Sequence, residues 1–205
     1  MSRNMEVTHQ NLLKCAKDHF LKYGYDKANI REICKSAHVT NGAFYRHFKD
    51  KEAMFCELVE PTVNSMLASY YKSADKHFDL LNTDEVKKLW ELSEDAIILL
   101  IEYAYENLDV FKLIFLSSKG TKYENFLHEV VNLEVVKTQQ MISELNKRGI
   151  KTNPLCEDEL HILISAYFSS LAEMILHDYS RQDAIKYAHT LAKFFNAAWI
   201  NLFGI

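Results

Sequence analysis

Thr40, Asn41, Gly42 and Ala43 are small or short polar residues in succession, and Tyr45, Arg46, His47, Lys49 and Lys51 follow them closely. These two groups suit one kind of chemistry. The first can bring backbone and short side chains against the edges of base pairs, and the second can donate hydrogen bonds to phosphate oxygens. The elements needed to position them are legible on either side. Ile30, Ile33, Cys34 and Ala37 recur at helical spacing, and Val39 closes that apolar face. Thr40 is a good N-cap for a second helix, on whose buried side Phe44 and Phe48 lie four apart. Residues 29–48 are therefore predicted to form a helix-turn-helix with a phosphate clamp directly behind it.

This stretch and its flanks, from about Thr8 to Leu58, resemble the TetR family of bacterial transcriptional repressors. Leu12-Leu13-x-Cys15-Ala16-x-x-His19-Phe20-x-x-Tyr23-Gly24-Tyr25 is similar to the family's first helix and its Gly-Tyr exit. Val39 to Phe48 is similar to its recognition helix, and Lys49-Asp50-Lys51-Glu52-Ala53-Met54-Phe55 to the start of its fourth helix. The resemblance implies that Thr40, Asn41, Gly42 and Ala43 meet base edges and that Arg31 is a candidate guanine contact. It maps Tyr45, His47 and Lys51 onto phosphate contacts. His38 stands in the turn where the family usually has Gly, at a position that often needs φ > 0.

Composition agrees with a largely helical, intracellular protein. A chain of 205 residues with 48% hydrophobic content can hold a small domain and a larger one. Five Gly and two Pro leave little material for turns, which disfavours an all-β fold. The chain shows no apolar run long enough for a signal peptide, and Ala96–Ala104 is interrupted by Glu102 and too short to span a bilayer. A cytoplasmic location with no membrane partner is expected. Charge is uneven. Residues 1–60 carry ten Lys and Arg against eight Asp and Glu, whereas residues 61–205 carry fourteen against twenty. A basic end and an acidic remainder would orient the chain towards DNA.

Helix follows helix along the rest of the chain: about Thr8–Tyr23, from Asp50 past Leu58, from Thr83 or Asp84 to about Asn107, Val110–Leu116, Tyr123–Arg148, Glu157–Tyr179 and Gln182–Leu202. Pro61 either kinks the fourth of the predicted nine or opens a new one. The last two are apolar on more than one face, so one face needs a partner. Two such helices from each of two chains make a four-helix bundle, an arrangement the family resemblance also implies. Trp90, Tyr103, Phe111, Phe115, Phe126 and Tyr167 are candidates for lining an apolar pocket.

No catalytic constellation, metal motif or cofactor signature stands out among the scattered histidines, and the four cysteines form no C-x-x-C pair. The expectation is an all-α protein of about nine helices, not an enzyme. Residues 1–58 would be a helix-turn-helix DNA-binding head and 59–205 a ligand-binding and dimerisation body. It would act as a homodimeric repressor, released from a palindromic double-stranded operator by a small apolar or aromatic inducer. A dimeric DNA-binding protein without a ligand and a small all-α enzyme are the alternatives.

Overall fold

The computed structural model describes residues 3–80 and 88–204, without the side chains of residues 3, 75–80 and 88–91. Among the described residues are nine α-helices and no strand. They are α1 (Arg3–Tyr23), α2 (Ile30–Ser36), α3 (Asn41–His47), α4 (Lys51–Leu80), α5 (Lys88–Glu106), α6 (Leu108–Ser117), α7 (Phe126–Lys147), α8 (Glu157–Leu176) and α9 (Arg181–Phe203). The cap expected at Thr83 or Asp84 lies outside the described residues.

The helices group into two compact units, Met1–Ser65 with Asn107–Phe126, and Met66–Glu106 with Leu127–Ile205. The expected division after residue 58 is corrected in two ways: it falls inside α4 seven residues later, and α6 joins the N-terminal unit. Local pattern could not show this, because the residues that tie α6 down lie far away in sequence. Lys17 on α1 meets Asp109 at 2.6 Å, and the Tyr25 amide donates to the Ser117 carbonyl at 2.9 Å.

The first unit closes around Leu12 and Phe20 of α1, Ile33 of α2, Phe44 of α3 and Phe55 of α4, all wholly buried. Phe20 meets Phe55 edge-on at 5.3 Å. The turn between α2 and α3 is a Schellman closure. The His38 amide donates to the Lys35 carbonyl and the Val39 amide to the Cys34 carbonyl, with His38 at φ 56°. An L-residue with a Cβ is strained there. His38→Gly is therefore expected to raise stability by about 0.5–1 kcal/mol, net of glycine's greater freedom when unfolded. Chemical denaturation reads this directly; an unchanged or lower midpoint would show that the His38 side chain contributes more than its strain costs.

α4 runs unbroken through Pro61, so Pro61 does not open a new helix. Its start is capped by Asp50, whose carboxylate accepts from the Ala53 amide at 2.8 Å. In the second unit Ile97 and Ile101 of α5 pack with Leu171 and Met174 of α8 and with Ala184 and Ala188 of α9. A neighbouring cluster joins Val131 and Val135 of α7 to Leu160, Ile164, Trp199 and Phe203. Alanines at 184, 188 and 192 are all wholly buried, which lets α9 approach its neighbours closely.

Candidate nucleic-acid interface and ligand cavity

α3 begins where Thr40 turns its hydroxyl to accept from the Ala43 amide at 3.2 Å. Phe44 and Phe48 bury the helix's inner side, leaving Asn41, Gly42, Tyr45 and Arg46 exposed. Gly42 is informative. Its φ is not positive, and a Cβ built there would meet nothing closer than the Thr40 hydroxyl at 3.9 Å. The fold does not require glycine at this position, and in a helix glycine is less stable than alanine by about 0.5–1 kcal/mol. Its missing side chain makes sense for a surface that another molecule approaches closely. Tyr45, 62% exposed and edge-on to Phe44, is a large aromatic that the core does not use. α2 is fixed against α1, as Asn11 donates to the Ala37 carbonyl at 2.9 Å and His19 pairs with Ser36 at 2.9 Å. Arg31 stands exposed in its first turn, where the Asn29 side chain caps its amide at 2.8 Å.

Behind α3, His47 is half-buried with Nδ1 enclosed and unpartnered, and its ring lies 5.4 Å from that of His9. His9 is buried, stacks on Phe48 and pairs with Glu57 through Nε2 at 2.5 Å. Lys51 is committed differently from the sequence expectation. Its ammonium donates to the carbonyls of Tyr25, Ala28 and Asp26 at 2.6, 3.0 and 3.4 Å and lies over the Tyr25 ring. Burial lowers its pKa. An ammonium has three donors, and in the DNA-free protein those of Lys51 pin the α1–α2 loop, where the sequence suggested a phosphate contact. Arg46 and Lys49, which precede it in the sequence, are exposed cations.

The second unit contains a cavity of about 580 Å³. Its walls include Met66 and Tyr70 of α4, Leu100 and Tyr103 of α5, Leu133 and Glu134 of α7, Tyr167 and Phe168 of α8 and Trp199 of α9. Of the six expected lining residues, Tyr103 and Tyr167 are there. Phe111, Phe115 and Phe126 are corrected: they belong to the first unit, and Phe111 and Phe126 are buried within it. The side chain of Trp90 lies outside the described residues. Tyr70, Glu134 and Trp199 were missed, and no local signal marks them. On α7, Val130, Leu133, Lys137 and Met141 line the cavity, while Val131 and Val135 face the packed core.

The bacterial regulatory protein model of the tetR family matches residues 12–58, from the middle of α1 through the helix-turn-helix into α4. By this match residues 12–58 carry the DNA-binding region of the TetR family of transcriptional regulators. It is 22% identical over 192 residues to the "Probable acrEF/envCD operon repressor" of Escherichia coli K12, covering 90% of this chain and 83% of that one. The HTH-type transcriptional regulator AcrR of Shigella flexneri is 43% identical over 55 residues, 27% of this chain and 26% of that one. In fold it is similar to a TetR-family regulator from Syntrophomonas wolfei, with a TM-score of 0.61, 18% identity and coverage of 94% and 96%. TetR-family regulators bind operator DNA as dimers, and theirs is a family of regulators rather than of enzymes.

Among the described residues, one face of the last two helices is left uncovered by the chain itself. Ile162 and Phe194 are each 67% exposed. Ala166 and Ser169 on α8 and Ala197 on α9 are exposed alongside them. Ala198, by contrast, is half-buried. By length and composition α8 is also the one helix among the described residues that is apolar enough to cross a membrane. Packing on one side and a partner on the other would account for the same composition.

Proposed function

We propose that the protein is a cytoplasmic, homodimeric repressor that reads a palindromic operator and leaves it when a small molecule fills the cavity of the second unit. In this reading Thr40, Asn41, Gly42 and Ala43 approach base edges, and Arg31 offers its planar fork to a guanine. Tyr45, Arg46, His47 and Lys49 hold phosphates, with Lys51 acting indirectly through the loop it pins. The observation that carries the reading is Gly42: an exposed glycine in the first turn of α3 that its own fold does not need.

α4 supplies the connection. Its first half packs within the DNA-binding unit through Met54 and Phe55, and its second half lines the cavity with Met66 and Tyr70. Pro61 lies between them and has no N–H to donate, which makes it the proposed pivot. A ligand that prefers one setting of this helix would change the separation of two recognition helices, and operator binding would then weaken ligand binding by the same factor. The cavity favours this over a ligand-free DNA-binding protein.

Selection of bound duplexes from a random pool tests the reading. The expected product is a two-fold symmetric site whose half-sites lie about 10–10.5 bp apart, or a multiple of that. Enrichment of a single asymmetric site, or of none, would reject it.

A further inference from the structure

Glu57, His9 and His47 form a polar line across the first unit whose hydrogen-bonding capacity the fold does not use up. His9 on α1 is buried, stacks on Phe48 with ring centres 4.7 Å apart and meets Glu57 on α4 through Nε2 at 2.5 Å. A carboxylate only accepts, so this nitrogen carries the hydrogen. Nδ1 of His9 is enclosed without a partner, and so is Nδ1 of His47 on α3. A buried nitrogen left like this costs free energy whether it holds a proton or a lone pair. The two rings lie 5.4 Å apart between centres, with 49° between their planes. At such a separation two ring nitrogens turned towards each other come to about 3 Å, a hydrogen-bond distance.

One hydrogen between the two Nδ1 atoms satisfies both, whereas none or two satisfies neither. Its source decides what a phosphate would meet. With both rings neutral, His9 keeps its proton on Nε2 for Glu57, so His47 must place its own on Nδ1. Nε2 of this half-buried residue, which is not enclosed as Nδ1 is, then turns a lone pair outward and cannot donate to a phosphate oxygen. One further proton from solvent keeps the bridge and gives Nε2 of His47 an N–H as well. The single positive charge then lies between the Glu57 carboxylate and the phosphate. Other charged groups on these three helices are engaged elsewhere or exposed: Glu6 accepts from Gln10, Lys51 is held by loop carbonyls, Glu60 pairs with Lys122, and Arg46 is exposed.

Resting on the phosphate role of His47 in the reading above, we propose that His9 and His47 share one proton, which operator binding draws into each subunit. The bound state then holds more protons than the free state, so the operator is held more tightly as pH falls.

Titration calorimetry of the full chain with the selected operator, at about pH 7 in two buffers of different ionisation enthalpy, counts the protons taken up. Net uptake of up to about one per subunit is expected, with affinity at least about tenfold higher at about pH 6 than at about pH 8, the range in which histidine exchanges protons. His9→Gln keeps an N–H for Glu57 and His47→Gln keeps one for the phosphate, but each removes an Nδ1. Each should lose most of the uptake, and the double variant should lose no more, because a shared site can be removed only once. Uptake retained in His9→Gln but lost in His47→Gln would make the proton His47's own and overturn the proposal. Uptake retained in both variants, or absent from a wild type that binds its operator, would also overturn it, and in all three cases the operator reading stands. Two-bond proton–nitrogen NMR spectra of the wild type ask the same question without a substitution. Free His47 should carry its hydrogen on Nδ1 at about pH 8 and on both nitrogens in the complex. A free His47 with its hydrogen on Nε2 alone overturns the shared site. Failure to select any operator removes the operator reading and this proposal with it.

Discussion

Ser169→Arg should yield a monomer that no longer holds its operator. Ser169 lies on the exposed strip of α8 with Ile162 and Ala166, and Phe194 and Ala197 are exposed on α9. Contact with a second copy would bury that strip, and an arginine in its middle would bring an uncompensated charge into the interface. Such burial costs several kcal/mol, about 3–5 where a charge is left without its partner, so the helices separate instead. Each recognition helix alone then grips one half-site, and the gain from linking two, about 10²–10⁴-fold, is lost. Sedimentation should show the dimer becoming a monomer, and a mobility assay should show operator affinity falling by at least about a hundredfold. Ala197→Arg should behave alike, while Ala198 is half-buried and tests its own monomer's packing as well. A wild type that sediments as a monomer at micromolar concentration would sink the idea.

Substitutions around α3 should divide into three phenotypes. Asn41→Ala and Arg31→Ala remove side chains proposed to read bases, costing about 1–3 kcal/mol of operator affinity and relaxing preference at particular base pairs. Arg46→Ala and Lys49→Ala should weaken every duplex alike, each lowering the slope of log affinity against log salt by about one. Lys51→Ala should differ from both. It strands the carbonyls of Tyr25 and Ala28, which its ammonium now satisfies at 2.6 and 3.0 Å, so thermal stability should fall by about 1–3 kcal/mol. Gly42→Ala separates fold from function again, since a methyl has room in the free protein. It should leave stability unchanged or higher while impairing operator binding. A Lys51→Ala protein of unchanged melting temperature but reduced salt slope would return Lys51 to the phosphate contacts.

The N-terminal unit was legible because its determinants are local. Thr40 caps α3 through a residue three positions on, and Ile33 and Phe44 repeat at helical spacing on short helices. Even the strained turn could be read, since His38 occupies a position where a Schellman closure demands positive φ. Helix ends were less secure. α1 begins five residues before Thr8, and α8 stops at Leu176 because Asp178 enters the left-handed region. No strong breaker marks either point in the sequence.

The cavity was legible only in part, for a different reason. Tyr103 and Phe111 look equivalent along the chain, both aromatic and both on helices, yet one lines the cavity and the other fills the first unit's core. Helical periodicity says which face is apolar and nothing about which distant helix covers it. The sequence by itself determined the helices, the helix-turn-helix and the polar first turn of α3, because hydrogen bonds and caps between near neighbours decide them. Tertiary structure decided that α6 joins the first unit, that the ammonium of Lys51 is held by carbonyls 23–26 residues away, and that Glu134 accepts from a tyrosine 64 residues away. Those outcomes depend on which surfaces meet once helices pack, and chain separation carries no record of that.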